Sequence, residues 1–528
     1  MAMGKVYLVG AGPGDPGLLA LRAAECLAQA DLVLYDYLVN PLVLEHARPE
    51  AQRLCLGHHG TGRHVSQEQI NARMIEAARQ GQVVVRLKAG DPCVFGCLAE
   101  EVGALRDAGV PLEIIPGITA GLAVAGYAEI PVTHALQASA VALVTGHQRQ
   151  LKAGPPLDYA ALAAFPGTLI FYMGVTSAAE WSAALMAGGK SPAMPVAIVR
   201  RCSWADQQTI RCTLATVAAV LAAQEVRPPA VIVVGEVVGL APAACWFAER
   251  PLHGARVLVT RPGEQVHELR DRLAALGADV LVQPAIEIGP PPDWTPVDAA
   301  LGHLDQYDWL VFSSGNGVRY LLDRLLAGGG DLRRLGRIKL AAIGPGTAAE
   351  LAKYHLRADL VPAEYRAEAL AEALLNEVAC GAGVSPAQAA GTAAPQGRFL
   401  LVRADRGRQV LPERLGAAGA TVEQIVAYST IEVTEADVEV RAALTEGRID
   451  WVTVTSSAIA RSLAALFGDA LRRSRLASIS PITSGVLREL GYEPSAEASE
   501  YTMAGVVEAI VAAVGQAVPD NPGTSGTA

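Results

Sequence analysis

The chain has 528 residues, 51% of them apolar and 18% charged, with a formal net charge of −10. That length calls for two or more domains with separate cores, and the acidic balance excludes a general nucleic-acid binder, which needs basic patches for phosphate. No apolar run approaches the roughly 20 residues of a membrane helix, no leader pattern precedes the first strand, and eight scattered cysteines predict reduced thiols in a cytoplasmic protein.

The chain starts with a short apolar run, Val6-Tyr7-Leu8-Val9, which enters the turn Gly10-Ala11-Gly12-Pro13-Gly14-Asp15-Pro16-Gly17. A helical pattern follows from Leu18 to Ala30, and then a second apolar run, Leu32 to Tyr35, closing on Asp36. Strand, glycine turn, helix, strand and acid make a dinucleotide-binding pattern, but that pattern needs G-x-G-x-x-G. Here the third glycine comes one residue early. Asp15 also puts a carboxylate where a pyrophosphate would meet the helix N-terminus. Both features count against the dinucleotide reading, and Asp36 is left as a general base, a hydrogen-bond acceptor or a helix-capping acid.

The βαβα pattern continues to about residue 245. Val83 to Leu87 is a buried strand before the turn Lys88-Ala89-Gly90-Asp91-Pro92. Leu112 to Ile115 leads into Pro116-Gly117-Ile118-Thr119-Ala120, and Val141 to Val144 into Thr145-Gly146-His147. Lys152 to Pro166 reads as a hinge, so two α/β lobes divide near residue 150. Strands follow at Thr168 to Gly174, Pro195 to Val199 and Ala230 to Gly235. Loops at strand C-termini form the usual ligand cleft of α/β sheets, and Asp36, Asp91, His58, His59, His134 and His147 are its candidate polar groups. Ala89-Gly90 lets a ligand approach the backbone closely. Cys93 and Cys97 read as packing residues.

After a connector at Pro242 to Pro251, an internal repeat begins. Gly254 to Arg261 returns as Gly397 to Arg403, Leu276-Gly277-Ala278-Asp279-Val280 as Ala418-Gly419-Ala420-Thr421-Val422, and Asp308-Trp309 as Asp450-Trp451. Ile343-Gly344-Pro345-Gly346-Thr347 returns as Ile479-Ser480-Pro481-Ile482-Thr483, and Glu364-Tyr365 as Glu500-Tyr501. These five blocks keep their order at spacings of about 136 to 143 residues, so this half is a duplicated α/β unit with two lobes facing a cleft. Cys380 to Gln396, rich in Ala, Gly, Pro and Ser, reads as a flexible surface loop, and residues 516–528 as a disordered tail. In each repeat, hydroxyl residues precede a helix: Ser313-Ser314, Thr347, Thr455-Ser456-Ser457 and Thr483. Such ends are either N-caps or, taken together, anion sites built from exposed N–H groups. No catalytic triad, metal-ligand spacing or nucleotide loop appears, so this half is expected to work by holding a flexible reactive substrate.

The N-terminal motifs together resemble the S-adenosylmethionine-dependent tetrapyrrole methyltransferases, and within them uroporphyrinogen-III C-methyltransferase, over residues 4 to 248. The carrying residues are Val9 to Asp15, Leu34-Tyr35-Asp36, Val85 to Pro92, Val94-Phe95-Gly96, Pro116 to Ala120, Ile130 to His134, Val144 to His147 and Phe171 to Gly174. The C-terminal repeat, with its strand-end hydroxyl turns and Ile343-Gly344-Pro345-Gly346-Thr347 block, resembles uroporphyrinogen-III synthase. The two families act consecutively in one pathway. The resemblance implies an α/β enzyme with a methyltransferase at 1–248 (lobes about 1–150 and 151–248) and a synthase at 252–515. It implies two crossings between the synthase lobes, so that 252–283 plus 434–515 form one and 290–425 the other. Sequential lobes are what the repeat alone suggests.

By the same resemblance, S-adenosylmethionine contacts Pro13, Ala89, Gly90, Asp91, Val94, Thr119, Ala120, Met173 and the backbone near Cys202. Asp36 stands where the family has its proton acceptor, and two successive transfers at C2 and C7 give precorrin-2. His58 replaces a lysine with a proton-donor role. Cys97-Leu98-Ala99 replaces Arg-Gly-Gly, and Ala135 an arginine, with Arg63, Arg149, Arg200 and Arg201 as compensating cations. In the synthase half, which needs no cofactor and no metal, Ser314, Thr347, Tyr428, Ser456, Ser457, Arg475 and Thr483 are implied to orient substrate during closure of linear hydroxymethylbilane. The expected partners are small tetrapyrroles, without nucleic acid or membrane, in a homodimer formed through the methyltransferase half. Other methylases of the same fold, a Rossmann oxidoreductase and a non-catalytic two-lobed binding module are the alternatives.

Overall fold

The computed structural model describes residues 3–57, 65–147, 156–381, 397–406 and 409–516. The chain divides into two compact units, Met1–Ala255 with Ala274–Asp279, and Arg256–Leu273 with Val280–Ala528.

In the first unit, β1 (Lys5–Gly10), β2 (Leu32–Tyr35), β3 (Gln52–Cys55), β4 (Val83–Lys88) and β5 (Leu112–Ile115) form one sheet in the order β3-β2-β4-β1-β5. All its pairings are parallel. A parallel sheet is covered on both faces, which is why β1 runs Val6-Tyr7-Leu8-Val9 without alternation and β4 opens on Val83-Val84-Val85, with Arg86 and Lys88 as its buried charged exceptions. Tyr7, Val9, Val33, Val85 and Leu87 pack on one side with Ala23, Cys26 and Leu27 of the helix Leu21–Gln29. Val6, Leu8, Leu34 and Val84 pack on the other with Ile70, Met74 and Leu105.

The second sheet holds β6 (Val141–Thr145), β7 (Thr168–Tyr172), β8 (Pro195–Arg200), β9 (Gln208–Thr213) and β10 (Ala230–Val234), in the order β6-β7-β10-β8-β9. It is mixed, not parallel as a βαβ reading predicts. Only β6 and β7 run parallel, whereas β10 is antiparallel to β7 and β8, and β8 to β9. The β8–β9 connection is a short turn, with left-handed backbone at Arg201 and Ser203 (φ 48° and 66°), so the chain reverses with no crossover helix.

The lobes also divide earlier than residue 150. The helix Ala120–Tyr127 follows β5 but packs with Ile170, Ala197, Val199 and Val233 of the second sheet. The division therefore falls in the Pro116–Thr119 turn. In the predicted hinge, the helix Tyr159–Ala164 starts on Asp158, whose carboxylate accepts the Ala161 N–H (3.0 Å). Residues 152–155 lie outside the described residues.

The second unit contains β11 (Arg256–Val259), β12 (Asp279–Val282), β13 (Ile286–Gly289), β14 (Trp309–Phe312), β15 (Lys339–Ala342), β16 (Arg398–Ala404), β17 (Thr421–Glu432), β18 (Trp451–Val454), β19 (Arg475–Ser478) and β20 (Ala496–Glu497). Its sheets run β12-β11-β18-β19-β20 and β13-β17-β16-β14-β15. The repeat matches β11 with β16, β12 with β17, β14 with β18 and β15 with β19. The four-strand orders β12-β11-β18-β19 and β17-β16-β14-β15 are thus the same arrangement. Each lobe takes two strands from one repeat and two from the other. The chain crosses between lobes through β13 and the far end of β17, which pair antiparallel from Ile286↔Glu432 to Gly289↔Ser429. Equivalent contacts recur. Arg256 N donates to Asp450 Oδ2 (2.7 Å) in one lobe, and Arg398 N to Asp308 Oδ2 (2.8 Å) in the other.

The helix Ala367–Gly381 takes in Cys380, the first residue of the predicted surface loop, and the helix Met503–Gln516 takes in Gln516, the first of the predicted tail; residues 382–396 and 517–528 lie outside the described residues. Among the described residues no helix is long and apolar enough to cross a membrane.

Candidate active sites

In the first unit, three turns at neighbouring strand ends are knitted together by main chain. Gly12 N donates to Gly90 O (3.2 Å), Gly90 N to Gly12 O (2.7 Å) and Ala11 N to Lys88 O (2.8 Å), zipping the β1 turn to the β4 turn. Asp91 closes the third side. Its Oδ1 accepts from Cys93 N (2.6 Å), holding its own turn, and its Oδ2 from Gly117 N (3.3 Å) at the end of β5. Glycine is required at this junction. A Cβ on Gly117 would lie 2.3 Å from Gly90 O, and one on Gly10 would lie 2.5 Å from Gly117 N. Gly90 itself has φ 71°, which favours glycine. The result is a floor of bare backbone.

The second lobe is fastened to this floor. The Tyr172 hydroxyl lies 2.7 Å from Thr119 Oγ1 and accepts the Gly121 N–H at 2.7 Å, so the end of β7 caps the helix that starts at Ala120. The Phe95 ring lies 5.1 Å from that of Tyr172, bringing the Val94 turn alongside. Met173, next in the chain, is 51% exposed with φ 53°. Phe95 and Cys97 share this backbone (φ 52° and 53°), and such strain gathers at ligand sites. On the opposite side, Trp204 Nε1 donates to Pro13 O (3.2 Å) and Asp15 N to Ser203 Oγ (3.0 Å), placing Pro13 against the Cys202 loop. Asp15, the residue that argued against a dinucleotide, caps Gly17 N (2.8 Å) and accepts from the Tyr127 hydroxyl (2.7 Å). Cys202 is buried, and burial pushes its thiol up to about 12.

Asp36 sits at the end of β2, beside the β4 turn, with its N–H donated to Leu87 O (3.2 Å). Its Oδ1 accepts from Arg86 Nη2 at 2.5 Å, and its side chain keeps 32% exposure. Asp36, the β4 turn, the β1 turn and the β5 turn thus follow the strand order along one sheet edge.

In the second unit, four helices start at strand C-termini. Ser314 Oγ caps Gly317 N (3.1 Å) after β14, and Ser456 Oγ caps Ile459 N (3.2 Å) after β18. Thr347 and Thr483 are buried in the first turns of Pro345–Lys353 and Pro481–Glu489, with Ser480 Oγ 3.2 Å from Thr483 Oγ1. Tyr428, buried in β17, reaches Ser314 Oγ with its hydroxyl (2.8 Å) and stacks on Tyr320. Burial pushes that hydroxyl above its ordinary value, so it stays protonated at neutral pH. Gln265 Nε2 donates to Asn316 Oδ1 (2.6 Å), joining the strand-end loop of one lobe to the helix start of the other. That contact joins the strand C-terminal sides of the two lobes.

Arg475 is not on these sides. It is the first residue of β19, a parallel strand, and so lies at the opposite edge from Thr483. Its guanidinium sits 4.8 Å over the Trp451 ring, beside a cavity of about 430 Å³ that Arg472, Arg473 and Glu493 also line.

Residues 5–218 match the model of the tetrapyrrole (corrin/porphyrin) methylases, and residues 267–508 that of uroporphyrinogen-III synthase HemD. The porphyrin biosynthesis protein HemD of Ruminiclostridium josui is 31% identical over 89% of this chain and 90% of its own length. The chain belongs to this family, as a fusion of methylase and synthase. The uroporphyrinogen-III C-methyltransferase of Bacillus subtilis (strain 168) is 38% identical over 67% of this chain and 72% of its own. A uroporphyrin-III C-methyl transferase from Thermus thermophilus, solved with S-adenyl homocysteine, is 39% identical over 45% of this chain and 94% of its own, with a TM-score of 0.39. The protein is a bifunctional enzyme of tetrapyrrole biosynthesis, a methyltransferase joined to a synthase.

In the methylase half, Arg200 and Arg201 are not free to grip substrate. Both pair with Asp206 (3.4 and 2.6 Å), and Arg201 also stacks on Trp204. His134 closes a turn, its Nδ1 accepting from Leu136 N (3.3 Å). His58, His59, Arg63 and Arg149 lie outside the described residues. Sequence reading missed Tyr172 as the clasp on Thr119, and Gln265 with Asn316 as the bridge in the synthase half. It missed Arg86 as the partner of Asp36 too, although a charge inside the apolar run Val83 to Leu87 is a visible signal.

Proposed function

We propose that the synthase half closes hydroxymethylbilane to uroporphyrinogen III, and that the methylase half methylates this product at C2 and C7 to give precorrin-2. Convergence of Asp36 and three glycine turns on one sheet edge carries the methylase part. The backbone floor suits an elongated ligand gripped by main-chain groups, because side chains are excluded at Gly10 and Gly117. Pro13, Ala89, Gly90, Asp91, Val94, Thr119, Ala120, Met173 and the main chain at Cys202 would hold S-adenosylmethionine there, with His58 as a second acid–base group. That ligand supplies an activated sulfonium methyl. Asp36 accepts a pyrrole N–H, or its proton, as positive charge develops on the ring. Holding the porphyrinogen carbon in line supplies much of the remaining rate.

In the synthase half, Ser314, Thr347, Ser456, Ser457 and Thr483 with their helix N-termini hold substrate carboxylates, and the Tyr428 hydroxyl donates to the bound bilane. Arg475, at the far edge, has no part in this. The enzyme works in the cytoplasm as a homodimer.

Purified protein given hydroxymethylbilane and S-adenosylmethionine should yield a methylated precorrin chromophore. Cyclic uroporphyrinogen III alone would sink the methylase assignment, and uroporphyrinogen I at the level of an enzyme-free control would sink the synthase assignment. Light scattering at twice the chain mass would support the dimer, and a monomer would exclude it.

A further inference from the structure

Arg86 occupies a β4 position on a sheet face otherwise built from Val6, Leu8, Leu34 and Val84, and it is 3% exposed. Every edge of its guanidinium is engaged. Nη2 donates to Asp36 Oδ1 (2.5 Å), Nη1 to the carbonyls of Leu87 (3.2 Å) and Leu34 (3.5 Å), and Nε to Glu101 Oε1 (3.2 Å). Glu101, wholly buried on the helix Leu98–Asp107, accepts at the same oxygen from Lys88 Nζ (2.7 Å) and Gln67 Nε2 (3.2 Å). Two cations and two carboxylates thus form one network spanning β2, β4 and a covering helix. Three of its four charged members are buried, and Asp36 alone reaches solvent.

For stability alone this is a poor use of core space, since replacing a buried ion-pair group by apolar residues is often neutral or stabilising. What the network does provide is geometry. A guanidinium presents its donors in a rigid plane, and one locked by two main-chain carbonyls and a buried carboxylate cannot swing. Its remaining edge fixes one oxygen of Asp36 in place.

We propose that Arg86 is the positioning residue for Asp36. Backed by Glu101 and Lys88, it holds one carboxylate oxygen so that the other is presented to the substrate's pyrrole nitrogen. Arg86 touches neither substrate nor cofactor, and its role rests on Asp36 being the acceptor proposed above.

The test uses the full chain, uroporphyrinogen III and S-adenosylmethionine, with S-adenosylhomocysteine binding followed by calorimetry to confirm that the methylase half is folded. Arg86→Lys keeps the charge and loses the fork. It should lower kcat for methylation by about 10²-fold, the scale of a misplaced catalytic group, with both KM values within about twofold of wild type. In an Asp36→Asn background, the same substitution should lower the residual rate no further, because non-additivity marks residues acting as a unit. Unchanged kcat in Arg86→Lys alongside a strongly impaired Asp36→Asn would overturn the proposal, as would an equal loss in both backgrounds, the mark of a merely structural arginine. A rise in KM with kcat intact would overturn it too. Should Arg86→Lys fail to bind S-adenosylhomocysteine, Glu101→Gln takes its place in the same cycle, with about a tenfold loss of kcat expected and wild-type kcat refuting it. Full activity of Asp36→Asn alone would instead remove the acceptor role from Asp36, a failure separable from the others.

Discussion

His253 is half-buried in the first unit, its imidazole against the Phe247 ring, with Nε2 3.2 Å from the Gln207 carbonyl. Nδ1 is buried without a hydrogen-bond partner among the described residues. Burial, aided by the Arg250 charge, holds this histidine below its ordinary value of 6.5. The folded chain therefore prefers the neutral ring, and the unfolded chain binds the proton more readily. Its stability contribution is complete above about pH 6.5 and falls as pH drops below it. The melting temperature should hold steady from pH 8 to 7 and decline toward pH 5, and His253→Gln should flatten that decline in calorimetric scans. A decline of equal slope in the variant would exclude His253 as its source. In the synthase half, Tyr428→Phe keeps the ring that stacks on Tyr320 and deletes the hydroxyl at Ser314. One such hydrogen bond is worth about 1 kcal/mol of stability. Ring closure should slow at least tenfold, read as uroporphyrinogen III against spontaneously formed uroporphyrinogen I, with only a small shift in melting temperature.

At the scale of elements, the methylase site is an edge where strand ends meet. Parallel pairing of β2, β4, β1 and β5 puts all four C-termini on one side, and the short turns beyond them pack backbone against backbone. Gly117→Ala tests that packing directly. Its new Cβ would fall 2.3 Å from Gly90 O, so one turn has to move. The expected cost is about 1–3 kcal/mol of stability, with S-adenosylhomocysteine affinity falling at least tenfold by calorimetry while ring closure is unchanged. Wild-type affinity would show that the floor does not contact the ligand. Helix starts play the corresponding part in the synthase half. Ser314 and Ser456 cap their helices in the same way in opposite lobes, because the strand–hydroxyl–helix unit is present twice.

For the molecule as a whole, two separately folded units with separate chemistry predict separable defects. Asp36→Asn should cut methylation to a small residual rate and leave ring closure intact; Tyr428→Phe should slow ring closure and leave methylation of supplied uroporphyrinogen III at the wild-type rate. Loss of both activities from either substitution would refute two independent sites. The fold class and the family were readable from residues alone, because strands at sheet centres are mainly apolar runs, turns need glycine at fixed offsets, and duplication leaves repeated blocks. The direction of β8, β9 and β10 was not readable, since an apolar run carries no record of which way its neighbour travels. Nor was the lobe boundary, because the pattern of Ala120 to Tyr127 says that the helix is buried but not against which sheet. The hydroxyl turns could be placed at strand ends, whereas Arg475 could not be assigned to an edge until β19 was paired with β18. Asp36 could be named from its place after a strand, but its partner Arg86 lies 50 residues away. Only the adjacency of β2 and β4 brings the two together, and burial then makes that ion pair a fixed support for the carboxylate.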